Sequence, residues 1–157
     1  MHGLGLNSES FEPQLYELSD EFNVVPWNMP NLGATSSKAM NFNNLANSGF
    51  QLLDSLDIKS CHVVGHSMGW MIALEMALIN PDRIKSISLL GATSAFGGKD
   101  DSFKNSFLSS RLRPLSEGHT MKEVAQYNFP LMFSEDANQE DITRSIEAMG
   151  KISANEY

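Results

Sequence analysis

The stretch Val63-Val64-Gly65-His66-Ser67-Met68-Gly69-Trp70-Met71 leaves the chain very few local structures to choose from. Ile58 to Val64 carries β-branched residues and predicts a strand, while Met68 to Ile79 is apolar nearly all round and predicts a helix packed against a sheet. The reversal between them must be made inside Gly65 to Gly69. Such a turn forces Ser67 into a strained backbone conformation and places Gly65 and Gly69 where a Cβ would strike neighbouring backbone. The pattern is that of a GxSxG nucleophile elbow, which lifts the Ser67 hydroxyl clear of a parallel sheet. The Met68 N–H, in the first helical turn, then faces any negative charge that develops on a carbonyl oxygen beside it. The plain alternative is a serine that merely caps a buried helix.

A second glycine-rich stretch, Met1-His2-Gly3-Leu4-Gly5-Leu6-Asn7, opens the chain with no strand in front of it. It reads either as half of a nucleotide-binding glycine loop or as an oxyanion loop of the HGxG kind. A dinucleotide fingerprint needs a preceding strand and a third glycine at fixed spacing, and Ser8 stands at the following position. The oxyanion reading has a nucleophile to serve: the Leu4 N–H joins that of Met68, and His2 braces the loop.

Between these stretches, Phe11, Leu15 and Leu18 recur at helical spacing from Ser10 to Ser19, with Pro13 confined to the first turn. Phe22 to Trp27 reads as a short strand closed by Pro26, and Asn28 to Ser37 as loop. A long helix from about Ser37 to Leu56 presents Phe42, Leu45, Leu52, Leu53 and Leu56 on one face. After the elbow helix, Asn80-Pro81-Asp82 stops it and Ile84 to Leu90 forms a further strand. The alternation is the rhythm of a parallel α/β sheet flanked by helices.

Beyond Gly91 the pattern becomes helical without strands. Phe103, Phe107 and Leu108 share one face, Thr120 and Glu123 match a capping box, and Ile142, Ile146 and Met149 share another face before Gly150. Residues 1–91 therefore read as an α/β core and residues 92–157 as a helical lid that ends early, since Ser153 to Glu156 has capping-box spacing with only Tyr157 after it. Phe129, Met132 and Phe133 either line an apolar pocket or form the lid's own core.

Length and charge narrow the partners. A chain of 157 residues holds one ordinary domain, and a formal charge of −8 lacks the basic face that nucleic acid or an anionic membrane requires. Cys61 is a lone cysteine inside a predicted strand, read as a small buried apolar group, which suits a reducing cytoplasm. No charged, then apolar, then small-residue leader pattern opens the sequence and no run of eighteen apolar residues occurs in it, so neither a signal peptide nor a spanning helix is expected.

His2-Gly3-Leu4-Gly5, Trp27 through Gly33, Gly65-His66-Ser67-Met68-Gly69, Ala77 through Ile84, and Arg111-Leu112-Arg113-Pro114-Leu115 together resemble the α/β-hydrolase fold family, in its 3-oxoadipate enol-lactonase-like and esterase branch. The resemblance runs over essentially the whole chain and implies a partial α/β-hydrolase fold. It also implies hydrolysis of a small-molecule ester or lactone through Ser67, with the Leu4 and Met68 N–H groups as oxyanion hole and no metal or organic cofactor. In the family the activating carboxylate and histidine follow the serine on later loops. None of His62, His66 and His119 occupies the matching place, and Ala92 and Thr93 stand at the alternative position for the acid. The triad acid and histidine are thus expected outside this chain, which looks like a central fragment, inactive alone. Trp70 stands where the family usually has a small residue, its ring either crowding the oxyanion loop or pointing outward. Two other functions stay open: a sister reaction on the same scaffold, such as carbon–carbon bond hydrolysis or perhydrolysis, and a non-catalytic binding protein that keeps the fold.

Overall fold

Leu45, Ala46, Phe50 and Leu53 fall on one side of a helix, and Ile72, Ala73 and Met76 on one side of another, so the two helices bury each other's apolar faces. The computed structural model describes residues 1–30, 41–94, 97, 100–155 and 157. They fall into two units, Met1–Ala92 and Thr93–Asn155 with Tyr157.

In the first unit a short 3-10 turn, Ser8–Phe11, leads into α1 (Glu12–Leu18), with proline in the first turn. Helix α2 (Phe42–Ser55) begins where the Asn41 side chain accepts from the Asn44 N–H at 2.8 Å. The predicted start near Ser37 lies outside the described residues. The exit from α2 is held by Asp57, whose φ of 54° lets the Ile58 N–H reach back to the Leu53 carbonyl at 2.8 Å. That is a Schellman-type end with aspartate in the left-handed position. It turns the chain into β1 (Cys61–His66), which begins three residues later than the β-branched pattern from Ile58 suggested.

Helix α3 (Met68–Ile79) follows at once, and β2 (Ile84–Leu90) returns parallel to β1 after a 3-10 turn at Pro81–Arg83. The register sets Cys61 beside Ile84, shifts, then sets His62 beside Ser86, Val64 beside Ser88 and His66 beside Leu90. Although α3 is apolar but for Glu75, only Gly69, Ile72, Ala73 and Met76 are buried, and Leu78 is 79% exposed. Arg83 joins the layers, donating to Asp54 Oδ1 at 2.8 Å and to the Ile58 carbonyl at 2.7 Å, with its guanidinium over Phe50. The core around Trp27, Leu45, Phe50, Ile72 and Met76 is packed by these contacts.

Two expectations are corrected here. Phe22 to Trp27 joins no ladder among the described residues, so it is not a strand. Strand residues need a neighbour to take their N–H and C=O groups, and β propensity alone does not supply one. The other edge of β1 is instead met by Met1, whose nitrogen donates to the Val64 carbonyl at 2.6 Å and whose carbonyl accepts from the His66 N–H at 3.0 Å. That is the pairing of one parallel bridge opposite Gly65. Cys61, expected to be buried, is only half-buried at the edge of the core, where partial burial still raises its thiol pKa.

The second unit is helical among its described residues: α4 (Asp101–Ser116), α5 (Met121–Asn128), a 3-10 turn at Phe129–Leu131, and α6 (Gln139–Gly150). Thr120 and Glu123 form the reciprocal capping box, at 3.2 Å and 2.7 Å. Met121, Val124, Ala125, Phe129, Ala148 and Met149 make its core, and no residue of α4 is buried. The proposed capping box at Ser153 reaches Glu156, outside the described residues.

Candidate active site

Ser67 carries φ 50° and ψ −127°, a conformation that costs a non-glycine residue of order 1 to 3 kcal/mol. The surroundings hold it there. Its N–H donates to the Leu90 carbonyl at 3.0 Å, and its own carbonyl accepts from the Trp70 N–H at 2.9 Å, so β2 fixes one side of the turn and α3 the other. A Cβ on Gly65 would lie 2.5 Å from the Gly69 carbonyl oxygen and 2.6 Å from the Trp70 Cα. One on Gly69 would run into the carbonyl of Met1, with that of His2 at 2.9 Å.

The Gly3 loop approaches Ser67 directly. A Cβ on Gly3 would lie 2.8 Å from Ser67 Cβ, 3.3 Å from Ser67 Oγ and 3.4 Å from His66 Nδ1. His66 is half-buried with Gly91 on its other side, and its pKa is lowered by burial and then by the Met1 ammonium. Neither the Leu4 nor the Met68 N–H has a hydrogen-bond partner among the described residues. The helix that Met68 opens has no side-chain cap.

His2 is buried, 7% exposed, and both its ring nitrogens are engaged: Nδ1–H donates to the Gly3 carbonyl at 2.9 Å and Nε2 accepts from the Met29 N–H at 3.1 Å. Only the neutral ring can do both. Burial, and to a smaller extent the Met1 ammonium, lower its pKa.

The remaining residues singled out in the sequence lie elsewhere. Trp70 is half-buried on the stripe of α3 that continues through Leu74 and Leu78, off the face that meets α2. His62 is exposed, bonded to Ser86 Oγ at 2.7 Å with Phe22 edge-on, and His119 stands 3.9 Å from Glu123. In the second unit Phe129 is buried against Phe133 in a T-shaped pair, while Met132 is exposed. No histidine hydrogen-bonds Ser67 Oγ, and no group of three metal-ligating side chains occurs, among the described residues. No described helix is long and apolar enough to cross a membrane.

Sequence reading missed Asn28, whose Oδ1 accepts from the Ser8 N–H at 2.6 Å across twenty residues. The only local signal was its place in a stretch rich in Asn, Gly, Ser and Pro.

A sequence model of the family described as alpha/beta hydrolase fold matches residues 1–149. Over 115 residues the chain is 28% identical to the dihydrolipoyllysine-residue acetyltransferase component of the acetoin cleaving system of Cupriavidus necator, covering 72% of this chain and 31% of that protein. Over 98 residues it is 31% identical to a protein of Stutzerimonas stutzeri that carries the name carbamate hydrolase RutD, covering 59% of this chain and 36% of that one. A carboxylesterase structure from Nitrososphaera gargenis superposes with a TM-score of 0.79 at 19% identity, over 99% of this chain and 58% of that one. A hydrolase structure from Pseudomonas aeruginosa gives a TM-score of 0.74 at 21% identity, over 98% and 58%. The matches thus span about a third of these curated relatives and somewhat over half of the solved chains.

Proposed function

The chain belongs to the alpha/beta hydrolase fold family, and from that premise we propose that it is part of a serine hydrolase whose nucleophile is Ser67, acting on a small-molecule ester or lactone. The observation that carries this reading is the strained Ser67 backbone, 50° in φ, with Gly3 packed against it and the Leu4 and Met68 N–H groups without a hydrogen-bond partner among the described residues. Strained backbone of this kind clusters at active sites, where a nucleophile has to be presented, and that supports the reading.

Ser67 Oγ attacks the carbonyl carbon, and the carbonyl oxygen, now negative, is held by the Leu4 and Met68 N–H groups. The tetrahedral species collapses, expelling the alkoxide as alcohol and leaving an acyl-serine, which water then hydrolyses to the acid. The proton of Ser67 needs a base. None of the described histidines hydrogen-bonds Oγ, so the reading places the activating histidine and its carboxylate in the part of the longer relatives that these residues do not span. The 157 residues alone are then expected to acylate slowly, since loss of the activating histidine costs about a million-fold by the subtilisin precedent.

Labelling with a fluorophosphonate tests the reading: adduct on Ser67, abolished by Ser67→Ala, is expected. Equal labelling of the mutant sinks it. That no histidine hydrogen-bonds Ser67 Oγ among the described residues favours the second reading, a non-catalytic binding protein on this fold. That reading gains if a protein extended to the relatives' full length still shows no adduct.

A further inference from the structure

We propose that Asn28 is a positioning residue for the Ser67 reaction, clamping the base of a hydrogen-bond relay that sets the direction of the Leu4 N–H. The inference rests on the reading of Ser67 as nucleophile. Its observations are the ties between two loops. Ser8 N–H donates to Asn28 Oδ1 at 2.6 Å, and Met29 N–H donates to His2 Nε2 at 3.1 Å, so neighbouring residues hold both ends of the loop from His2 to Ser8.

The front tie continues inward. With Nε2 taken by Met29, the His2 proton sits on Nδ1 and is donated to the Gly3 carbonyl, which also accepts from the Leu6 N–H at 3.2 Å. A trans peptide points its C=O and its N–H in opposite directions. Fixing the Gly3 oxygen on His2 and Leu6 therefore fixes the Leu4 N–H on the far side of the same peptide plane. Gly3 itself lies against Ser67, close enough that a Cβ would meet Ser67 Oγ at 3.3 Å. The relay runs from Met29 through the His2 ring to the Gly3–Leu4 peptide. Its footing is the Asn28–Met29 backbone, and Asn28 Oδ1 is the side-chain atom that locks that backbone to the far end of the loop.

The test compares Asn28→Ala with Asn28→Asp, which keeps the accepting oxygen. Two readouts are taken on the protein extended to the relatives' full length: amide hydrogen exchange at Ser8 and in β1 with the 15N pattern of the His2 ring, and the rate of fluorophosphonate labelling at Ser67. Asn28→Ala is expected to speed Ser8 exchange and shift the His2 ring signals while β1 stays protected, and to slow labelling by about ten-fold, a fraction of what deleting an oxyanion donor costs. Asn28→Asp is expected to restore both. Unchanged Ser8 exchange and labelling in Asn28→Ala overturn the proposal, as does loss of β1 protection in step with labelling in both variants, which is plain unfolding. If wild-type Ser67 takes no label, the nucleophile reading fails and the catalytic half of the proposal with it. Ser8 exchange and the His2 signals then still show separately whether Asn28 holds the loop.

Discussion

A Cβ on Gly3 would come within 2.8 Å of the Cβ of Ser67. The obstacle is the root of a side chain on a strained backbone rather than the tip of a flexible one, so it cannot swing away. Gly3→Ala is therefore expected to push the loop off the elbow, lowering stability by about 1 to 3 kcal/mol as overpacking does. Fluorophosphonate labelling should slow more than the melting shift accounts for, because the loop that carries Leu4 has moved. Thermal melts and labelling rates on the one variant check both parts.

The strain at Ser67 predicts a gain where function is lost. Glycine adopts φ 50° with little cost, and relief of about 1 to 3 kcal/mol exceeds its extra unfolded-state entropy of about 0.5 to 1 kcal/mol. Ser67→Gly is expected to melt above wild type, while Ser67→Ala, which keeps the Cβ and the strain, is not. Denaturant midpoints of the three proteins decide it.

His2 predicts a pH dependence with a definite sign. Its folded pKa lies below the ordinary 6.5 because burial and the Met29 N–H both oppose a second ring proton. The unfolded chain takes up that proton first as pH falls. Stability from this group is thus complete above about 6.5, falls as pH drops from there toward the folded pKa, and levels off below it. The Met1 ammonium, lowered to about 6, and His66 titrate in the same sense nearby, so the measurement is a difference. Melting temperature against pH for His2→Asn should decline less steeply between pH 7 and 5 than for wild type. Parallel curves would show that His2 is not held neutral by the fold.

What the sequence discloses and what it hides divide along local and distant causes. The end of α3 at Asn80 and Pro81 and the Thr120–Glu123 box are fixed by neighbours within four or five residues, and they, like the Ser67 elbow and β2 from Ile84 to Leu90, stand where the pattern puts them. Phe22 to Trp27 has strand-like residues, yet a strand is made by its partner, and nothing in Val24 or Val25 announces whether one is present. Asn28 was invisible for a related reason. Its hydrogen bond to Ser8 spans twenty residues, and an asparagine in a loop carries the same local signature whether its amide meets water or another loop. The half-burial of Cys61 and the exposure of Leu78 likewise depend on what packs over a face, not on the residue itself.

The same substitution at two glycines of the α2–α3 pair should give opposite results, and the difference lies in what each new methyl would strike. At Gly69 it would strike the carbonyl of Met1 and come 2.9 Å from that of His2, both of them backbone. Met1 also pairs with β1, so it cannot retreat without breaking its bonds to Val64 and His66. At Gly49, buried in the middle of α2, the methyl would meet Met76 Sδ at 3.0 Å and Cε at 3.2 Å, the far end of a side chain with three rotatable bonds. Shifting a thioether by a few tenths of an ångström costs little, and alanine in a helix interior returns about 1 kcal/mol over glycine. Gly49→Ala is therefore expected to leave the denaturation midpoint within about 0.5 kcal/mol of wild type or to raise it. Gly69→Ala should lose several kcal/mol, beyond the range of about 1 to 3 for ordinary overpacking, because a backbone pairing is lost as well. A Gly69→Ala protein as stable as Gly49→Ala would mean that Met1 and His2 do not lie over the start of α3, and the site assembled around Ser67 would have to be redrawn.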